Sequence, residues 1–380
     1  MNNIYHFCQD EKFINAAYIQ FEMLYPERNK FLVYSANPLE IKYLKINSDF
    51  EFISDLKLAM EKIPKNSLVI FHSLPNRLLQ YICFLDSSVA TVWFCYGYEV
   101  YGDPYLYDDN KLCDKITKEK FGIEVRTFKE KIYENLLPLF RIIKPSVGYS
   151  LREQKLKKLK RINYLASSFE EEYKQITKIT TLTVPSFNFW YYSLEKILDV
   201  NLPIPLEKTK IVIGNSGYKS NNHLDVANKL KKLEVKNEDF IIPLSYGDTK
   251  YIDIIKELFI LPNNKVTFLE DFVKLEEYNI FLSEAKVAIF NTRRQQAIGN
   301  IIALIYHGSK VFISERNTFY HFLKRKKIQV YSYEKDLNSR TINQPLKLED
   351  IKENRKKLFA LLNEGKILAE LKLSVDKILK

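Results

Sequence analysis

Two stretches of this 380-residue chain carry residue types and spacings suited to holding an anionic ligand. In Lys210–Leu230, KIVIGNSGYKSNNHLDVANKL, the apolar run Ile211-Val212-Ile213 reads as a buried parallel strand, which Gly214-Asn215-Ser216-Gly217 breaks. Beyond Asn222 and His223, the residues Leu224, Val226, Ala227 and Leu230 recur at helical spacing. A strand, a glycine-bearing turn and a helix start together make an anion site, because the turn and the helix end offer N–H groups and the helix adds the positive end of its dipole. A nucleotide diphosphate suits such a place, although a turn also takes glycine for backbone reasons alone. The second stretch is Asn291–Asn300. Its Arg294, Gln295, Gln296 and Asn300 sit with Arg293 where a strand ends and the very apolar Ile301–Ile305 begins. An arginine there can grip phosphate in a bidentate way, and amides can orient sugar hydroxyls or an acetamido group.

The N-terminal half offers acid–base candidates instead. Apolar runs ending at His72 and near Cys95 are followed by polar residues, and in parallel sheets ligands sit beyond the carboxyl ends of strands. Glu99, after the turn at Gly97, is a candidate general base, since a carboxylate at a strand end can accept a proton from a sugar hydroxyl. His72 and Asp10 are further candidates by the same logic, and each also has an ordinary structural explanation. The adjacent Asp108 and Asp109 read as solvated acids, and no metal is assigned to them.

The elements that must position these residues alternate along the chain. Strands are expected at residues 3–7, 31–34, 67–71 and 89–94, and again at 211–213, 239–244, 265–269, 287–290 and 309–313, with helical patterns between them. This order implies an α/β fold with doubly wound parallel layers. At 380 residues the chain suits two domains. Prolines cluster at Pro185, Pro203 and Pro205, so the expected organisation is a domain over 1–185, a second over 206–349, and a charged helical tail over 350–380 that can pack back on the first.

With 46% hydrophobic residues and 10 Gly and 13 Pro, the composition excludes disordered and fibrous classes. The formal charge of +11 favours anionic partners. Cys8, Cys83, Cys95 and Cys113 show no paired spacing and read as reduced thiols without a zinc motif. No signal peptide and no apolar span of membrane length is evident, so a cytoplasmic protein is expected, soluble or bound at a membrane surface. Residues 130–163 suit such a surface. Leu139, Phe140 and Ile143 belong to an apolar run that precedes the basic Arg152, Lys155, Lys157 and Lys158, and burial plus lysine charge is what docking on anionic lipid requires.

GNSGYKSNNH, PLSYG, FLEDFV followed by EY, and RQQAIGN occur in that order, and HFCQDEKFI, FHSLPN and WFCYGYEVY stand in the first half. In these motifs the chain resembles the bacterial TDP-4-acetamido-4,6-dideoxygalactose (Fuc4NAc): lipid II transferases, glycosyltransferase family 56. The resemblance implies a GT-B fold, two Rossmann-like domains facing a cleft, with metal-independent chemistry and no cofactor beyond the nucleotide-sugar substrate. Gly214, Asn215, Ser216, Asn222 and His223 would line the donor diphosphate. Ser245, Tyr246 and Glu270 would sit near the nucleoside, and Arg294, Gln295, Gln296 and Asn300 near phosphate and sugar. The acceptor would be a lipid-linked saccharide, which gives the apolar and basic stretch a role at the inner face of the plasma membrane. Two other readings stay open: a GT-B enzyme using another donor on a lipopolysaccharide or soluble glycan, and a non-catalytic nucleotide- or nucleic-acid-binding protein.

Overall fold

Short runs rich in β-branched and aromatic residues, separated by amphipathic helices, build two parallel sheets in the computed structural model, which describes residues 3–34, 41–45, 48–122, 126–205 and 207–380. The strands of the first are β1 (Ile4–Cys8), β2 (Asn29–Val33), β3 (Phe50–Phe52), β4 (Leu68–His72), β5 (Ala90–Phe94), β6 (Tyr164–Ser167) and β7 (Ser186–Asn188), in the order β3-β2-β1-β4-β5-β6-β7. Those of the second are β8 (Lys210–Ile213), β9 (Asp239–Pro243), β10 (Lys265–Leu269), β11 (Ala285–Phe290), β12 (Lys310–Ile313) and β13 (Tyr331–Ser332), in the order β10-β9-β8-β11-β12-β13. The α/β, doubly wound reading holds. In each sheet the chain winds outward from one central pair, β1/β4 in the first and β8/β11 in the second. Crevices open at such reversals, beyond the carboxyl ends of the two strands.

Burial on both faces explains the near-continuous apolar runs. Ile211, Val212 and Ile213 of β8 and Val287, Ala288 and Ile289 of β11 are enclosed, and each fully buried branched side chain contributes about 1.5–3 kcal/mol. The register sets Ile213 beside Ile289, so Gly214 and the segment after Phe290 emerge side by side.

The chain forms two compact units, and it crosses between them four times rather than once. The first unit comprises residues 1–108, 124–192 and 365–380, and the second 109–123 and 193–364. Residues 109–123 belong to the second because Asp225 accepts hydrogen bonds from the backbone N–H groups of Ile116 (2.8 Å) and Thr117 (3.0 Å) and from the Thr117 hydroxyl (2.7 Å). The C-terminal stretch is two helices, Leu348–Leu362 and Glu364–Leu379. The second of them contributes Leu371 and Val375 to the core under β1, β4 and β5. All four cysteines are free thiols.

Candidate active site

The turns that follow β8, β9 and β11 meet at the central reversal of the second sheet. Gly214 leaves β8 with φ +66°, and its N–H donates to the Ile289 carbonyl at 3.0 Å. A side chain at 214 would collide with His223, whose Nε2 lies 2.6 Å from the position of a Cβ. Gly217 and Gly247 pair as a parallel bridge that ties the β8 and β9 turns to each other. On this frame, Asn215 Nδ2 donates to Tyr246 Oη at 3.0 Å, Gln296 Nε2 donates to Asn215 Oδ1 at 3.0 Å, and Ser220 Oγ donates to Gln296 Oε1 at 3.0 Å. Asn300 Nδ2 donates to Tyr278 Oη at 2.9 Å on the first turn of the helix Ile298–His307. Arg294 is half-buried on the same side, near enough for its charge to act on the Tyr246 hydroxyl. Asn317 holds the loop in place by donating to Thr292 Oγ1 (2.7 Å) and the Arg294 carbonyl (2.9 Å).

Asn215, Tyr246, Gln296, Asn300 and Arg294 therefore come together as the sequence suggests, with Gln295 half-buried beside them and Ser245 half-buried in the β9 turn. Several other expectations need correction. His223 is fully enclosed beneath Gly214, and burial pushes its pKa down to about 3, a backbone hydrogen bond at Ile213 opposing weakly. It is a neutral packing residue and brings no positive charge to a diphosphate. Asn222, at φ +54°, is equally buried and works as a clamp: its side chain accepts from the Asp114 N–H (2.6 Å) and donates to the carbonyls of Leu112 (3.0 Å) and Asn291 (2.7 Å). Ser216 is enclosed, its backbone and side-chain oxygens bonded by Asn221 Nδ2. The N–H groups of Gly214, Asn215 and Gly217 are bonded within the fold, so polar side chains, more than bare turn N–H groups, make this surface. Glu270 ends β10, two strands from β8 and so roughly 10 Å away, and is ion-paired with Lys256. Arg293 turns away as well, to Asp114 at 2.7 Å.

In the first unit, the corresponding reversal lies beyond β1 and β4. Glu99 stands beside it in the turn Tyr98–Tyr101, after Gly97 at φ +93°. Its Oε1 accepts from Trp93 Nε1 (3.1 Å) and the Tyr96 N–H (3.0 Å), while the buried Oε2 has no hydrogen-bond partner. Burial raises its pKa above the ordinary carboxylate range, and nearby N–H donors, the backbone N–H of Glu99 itself first, then those of Tyr96, Trp93 and Leu74, only partly offset it. Such a carboxylate can take a proton. Around it stand Tyr96, Tyr98, Tyr191 and Phe13, in ring contact at 5.4–6.4 Å. Asp10 is not free for acid–base work: it accepts from the N–H groups of Lys42 (2.6 Å), Tyr43 (2.9 Å) and Leu44 (2.9 Å), stapling one loop to another. His72 is 1% exposed and bonded on both sides, to His6 (3.0 Å) and Tyr191 (2.8 Å), so it touches no substrate. Glu11 escaped the sequence reading. Burial first, against the charge of Lys12, and then the negative charges of Asp10 and Glu99 raise its pKa, which sets it in the same electrostatic neighbourhood as Glu99. Its position just past β1, on the reversal, is the signal that identifies it.

Of the residues expected to dock on a membrane, Leu139, Phe140 and Ile143 are exposed on the helix Phe128–Ile143. Lys157 is exposed and Lys158 half-buried. Arg152 and Lys155 are internal ties instead: Arg152 donates to the carbonyls of Tyr105, Leu106 and Ile179, and Lys155 pairs with the buried Asp103. Among the described residues no helix is long and apolar enough to cross a membrane.

Solved structures share this architecture over the whole chain. Sucrose-phosphate synthase from Thermosynechococcus elongatus aligns with a TM-score of 0.63 at 10% identity, covering 100% of this chain and 99% of that one. The N-terminal domain of Candida albicans trehalose-6-phosphate phosphatase gives 0.62 at 10%, covering 100% and 97%. A UDP-forming trehalose-phosphate synthase from Burkholderia xenovorans gives 0.61 at 8%, covering 100% and 99%. These likenesses establish the GT-B fold. Residues 196–365, somewhat less than half of the chain, match the model of the family described as 4-alpha-L-fucosyltransferase, glycosyl transferase group 56, and this similarity supports a glycosyltransferase.

Proposed function

We propose that this glycosyltransferase takes a deoxy-amino sugar of the Fuc4NAc kind from a nucleotide diphosphate, TDP foremost, and transfers it to a saccharide carried on a polyprenyl diphosphate. The observation that carries the donor half is the linked set Asn215, Tyr246, Gln296 and Ser220, with Arg294 alongside, at the reversal between β8 and β11. Amide and hydroxyl groups suit a sugar bearing an acetamido group, and an arginine suits a diphosphate. In the reaction, an acceptor hydroxyl gives its proton to Glu99 Oε2 as its oxygen bonds to the anomeric carbon. The bond from that carbon to the nucleotide diphosphate breaks, and Arg294 stabilises the charge that collects on the leaving phosphate. The chemistry requires no resident metal. The exposed apolar helix Phe128–Ile143, with Lys144 and Lys157 near it in the chain, supports work at an anionic membrane surface on the cytoplasmic side.

Thermal unfolding with TDP, UDP, GDP, CMP and ADP tests the donor half. A nucleotide at 100 times its dissociation constant stabilises by about 2.7 kcal/mol, a clear shift in Tm. TDP is expected to give the largest shift, and Arg294→Ala to lose most of it. A protein that responds to none of the five would sink the transferase mechanism drawn here, and a response to UDP alone would move the donor to another sugar class.

A further inference from the structure

Tyr218 and Tyr246 stand on neighbouring turns of the second sheet. Tyr218 comes directly after Gly217 in the turn that follows β8, and Tyr246 directly before Gly247 in the turn that follows β9. The parallel bridge between Gly217 and Gly247 brings the two tyrosines together. Around it the Gly217 N–H donates to the Tyr246 carbonyl at 2.8 Å, and the Asp248 N–H donates to the Gly217 carbonyl at 3.0 Å. Both backbones are thereby fixed beside the pair. The ring centroids lie 6.0 Å apart, with the planes at 64°.

Both residues are open to solvent, Tyr218 at 49% and Tyr246 at 46% exposure. Two aromatic rings left side by side in water are a large apolar area without a cover. The Tyr246 hydroxyl, by contrast, is enclosed. It accepts from Asn215 Nδ2 at 3.0 Å, and burial raises its pKa, the bond from Asn215 opposing. With the hydroxyl enclosed, the exposed part of Tyr246 is its ring. Asn215 thus holds the polar end and leaves the ring body in solvent.

An angle of 64° makes the pair a corner rather than a stack. A flat aromatic ring lying against one tyrosine meets the other edge to face. These are the two arrangements aromatic pairs prefer, at centroid separations of about 4.5–7 Å. A puckered pyranose rimmed with hydroxyls matches only one wall of such a corner. The corner also adjoins the polar set: Asn215 accepts from Gln296 Nε2 at 3.0 Å, and the charge of Arg294 reaches the Tyr246 hydroxyl. A nucleotide needs both chemistries within its own length, cations and hydrogen bonds for its phosphates and a flat apolar wall for its base.

We infer that the corner formed by Tyr218 and Tyr246 holds the nucleobase of the donor by stacking, with the phosphates toward Arg294. The inference rests on the reading that the second unit binds a nucleotide sugar. Every base has a π-face, so stacking supplies affinity without choosing the base. TDP and UDP gain from it alike, and a preference between them is set by other contacts.

Calorimetric titration of the full-length protein with TDP, UDP and inorganic pyrophosphate tests this. Tyr218 is the residue to change, because it is half exposed and its side chain lies outside the hydrogen-bonded set, so the Tm without ligand should hold. Tyr218→Ala is expected to weaken TDP and UDP about tenfold each, and Tyr218→Phe to bind both as the wild type does. Pyrophosphate should bind all three proteins equally. A pyrophosphate loss in Tyr218→Ala as large as the TDP loss overturns the inference and leaves the donor reading standing. So does an unchanged TDP affinity in Tyr218→Ala, or a loss in Tyr218→Phe equal to that in Tyr218→Ala. If the wild type binds no nucleotide, the donor reading fails and the inference fails with it. Should Tyr218→Ala not fold, saturation-transfer spectra of TDP on the wild type read the same contact. The thymine methyl and H6 are expected to be saturated most strongly, and strongest saturation on the ribose overturns the stack.

Discussion

One oxygen of Glu99 is held by Trp93 and the Tyr96 N–H, while the other is buried without a partner, an arrangement that favours reactivity over stability. Because burial raises the pKa of Glu99 in the folded state, the fold prefers it protonated. That preference adds stability at low pH, and it is lost as pH rises through the raised pKa. Catalysis as a base requires the ionised form, so kcat/KM should fall with acid along a limb lying above the ordinary carboxylate range. Glu99→Gln should cut the rate by about 10²–10⁴-fold. The same variant should unfold at a higher temperature than wild type at pH 8 and lose that gain near pH 4, since its amide oxygen can keep the two N–H donors while no charge is buried. Trp93→Phe removes a donor to the ionised carboxylate and should move the acid limb to higher pH. A limb that stays in place in Glu99→Gln would assign the proton to another group, Glu11 first. The sequence made Glu99 visible through its place after a strand end, and it made Asp10 visible by the same rule. It could not separate Asp10 from Glu11, because which of two adjacent acids staples a neighbouring loop depends on contacts with residues 42–44, more than thirty positions away.

Elements were legible wherever burial on both faces forces an apolar run. β8, β9, β10 and β12 lie within a residue of the stretches their patterns mark, and β11 starts two residues early. β3, β6, β7 and β13 were missed because strands of two to four residues near a sheet edge carry too little pattern, and β7 lies inside the stretch the prolines suggest as a linker. The turn glycines were legible as turn formers, but their packing was not. Gly247 has φ +148°, and a Cβ there would lie 2.4–2.5 Å from backbone atoms of Gly217, which cannot move without breaking the bridge between the two turns. A Cβ at Gly217 instead meets Ile252 Cγ1 and Cδ1 at 2.3 and 2.6 Å, and a side chain can shift. Gly247→Ala should therefore cost about 3 kcal/mol in urea unfolding, and Gly217→Ala clearly less. Nucleotide binding should weaken in both, because Asn215 and Tyr246 hang from the same bridge. Equal costs would mean that the bridge is not what sets the turn.

At the scale of the whole molecule, the charge of +11 pointed to an anionic partner and the apolar run at 139–143 to a surface, but the charge in detail is distributed otherwise than the basic cluster suggested. Arg152 and Lys155 face inward, whereas Lys129, Lys144, Lys157 and Lys160, on or near the helix in the chain, are exposed among the described residues. Linear sequence shows that basic residues are dense, whereas their partners, Asp103 and three backbone carbonyls, are brought to them by the fold. The apolar side is larger than expected: Ile142 is 79% and Ile143 84% exposed, with Leu139, Phe140, Tyr133 and Phe128 along the same helix. Each fully buried side chain of that kind is worth about 1.5–3 kcal/mol, against about 1 kcal/mol for a lysine near an anionic surface, so the apolar residues should dominate binding. Vesicles containing one-third anionic lipid should carry the wild type upward on flotation. Ile142→Glu/Ile143→Glu should leave most of the protein at the bottom of the gradient, Lys144→Glu/Lys157→Glu should reduce flotation and steepen its loss with salt, and Lys155→Glu should act only through stability by stranding Asp103. Because the two isoleucines are already in water, the first double variant should keep its Tm. If it floats as well as wild type, the helix meets a protein partner or nothing at all, and the acceptor need not be carried on a lipid.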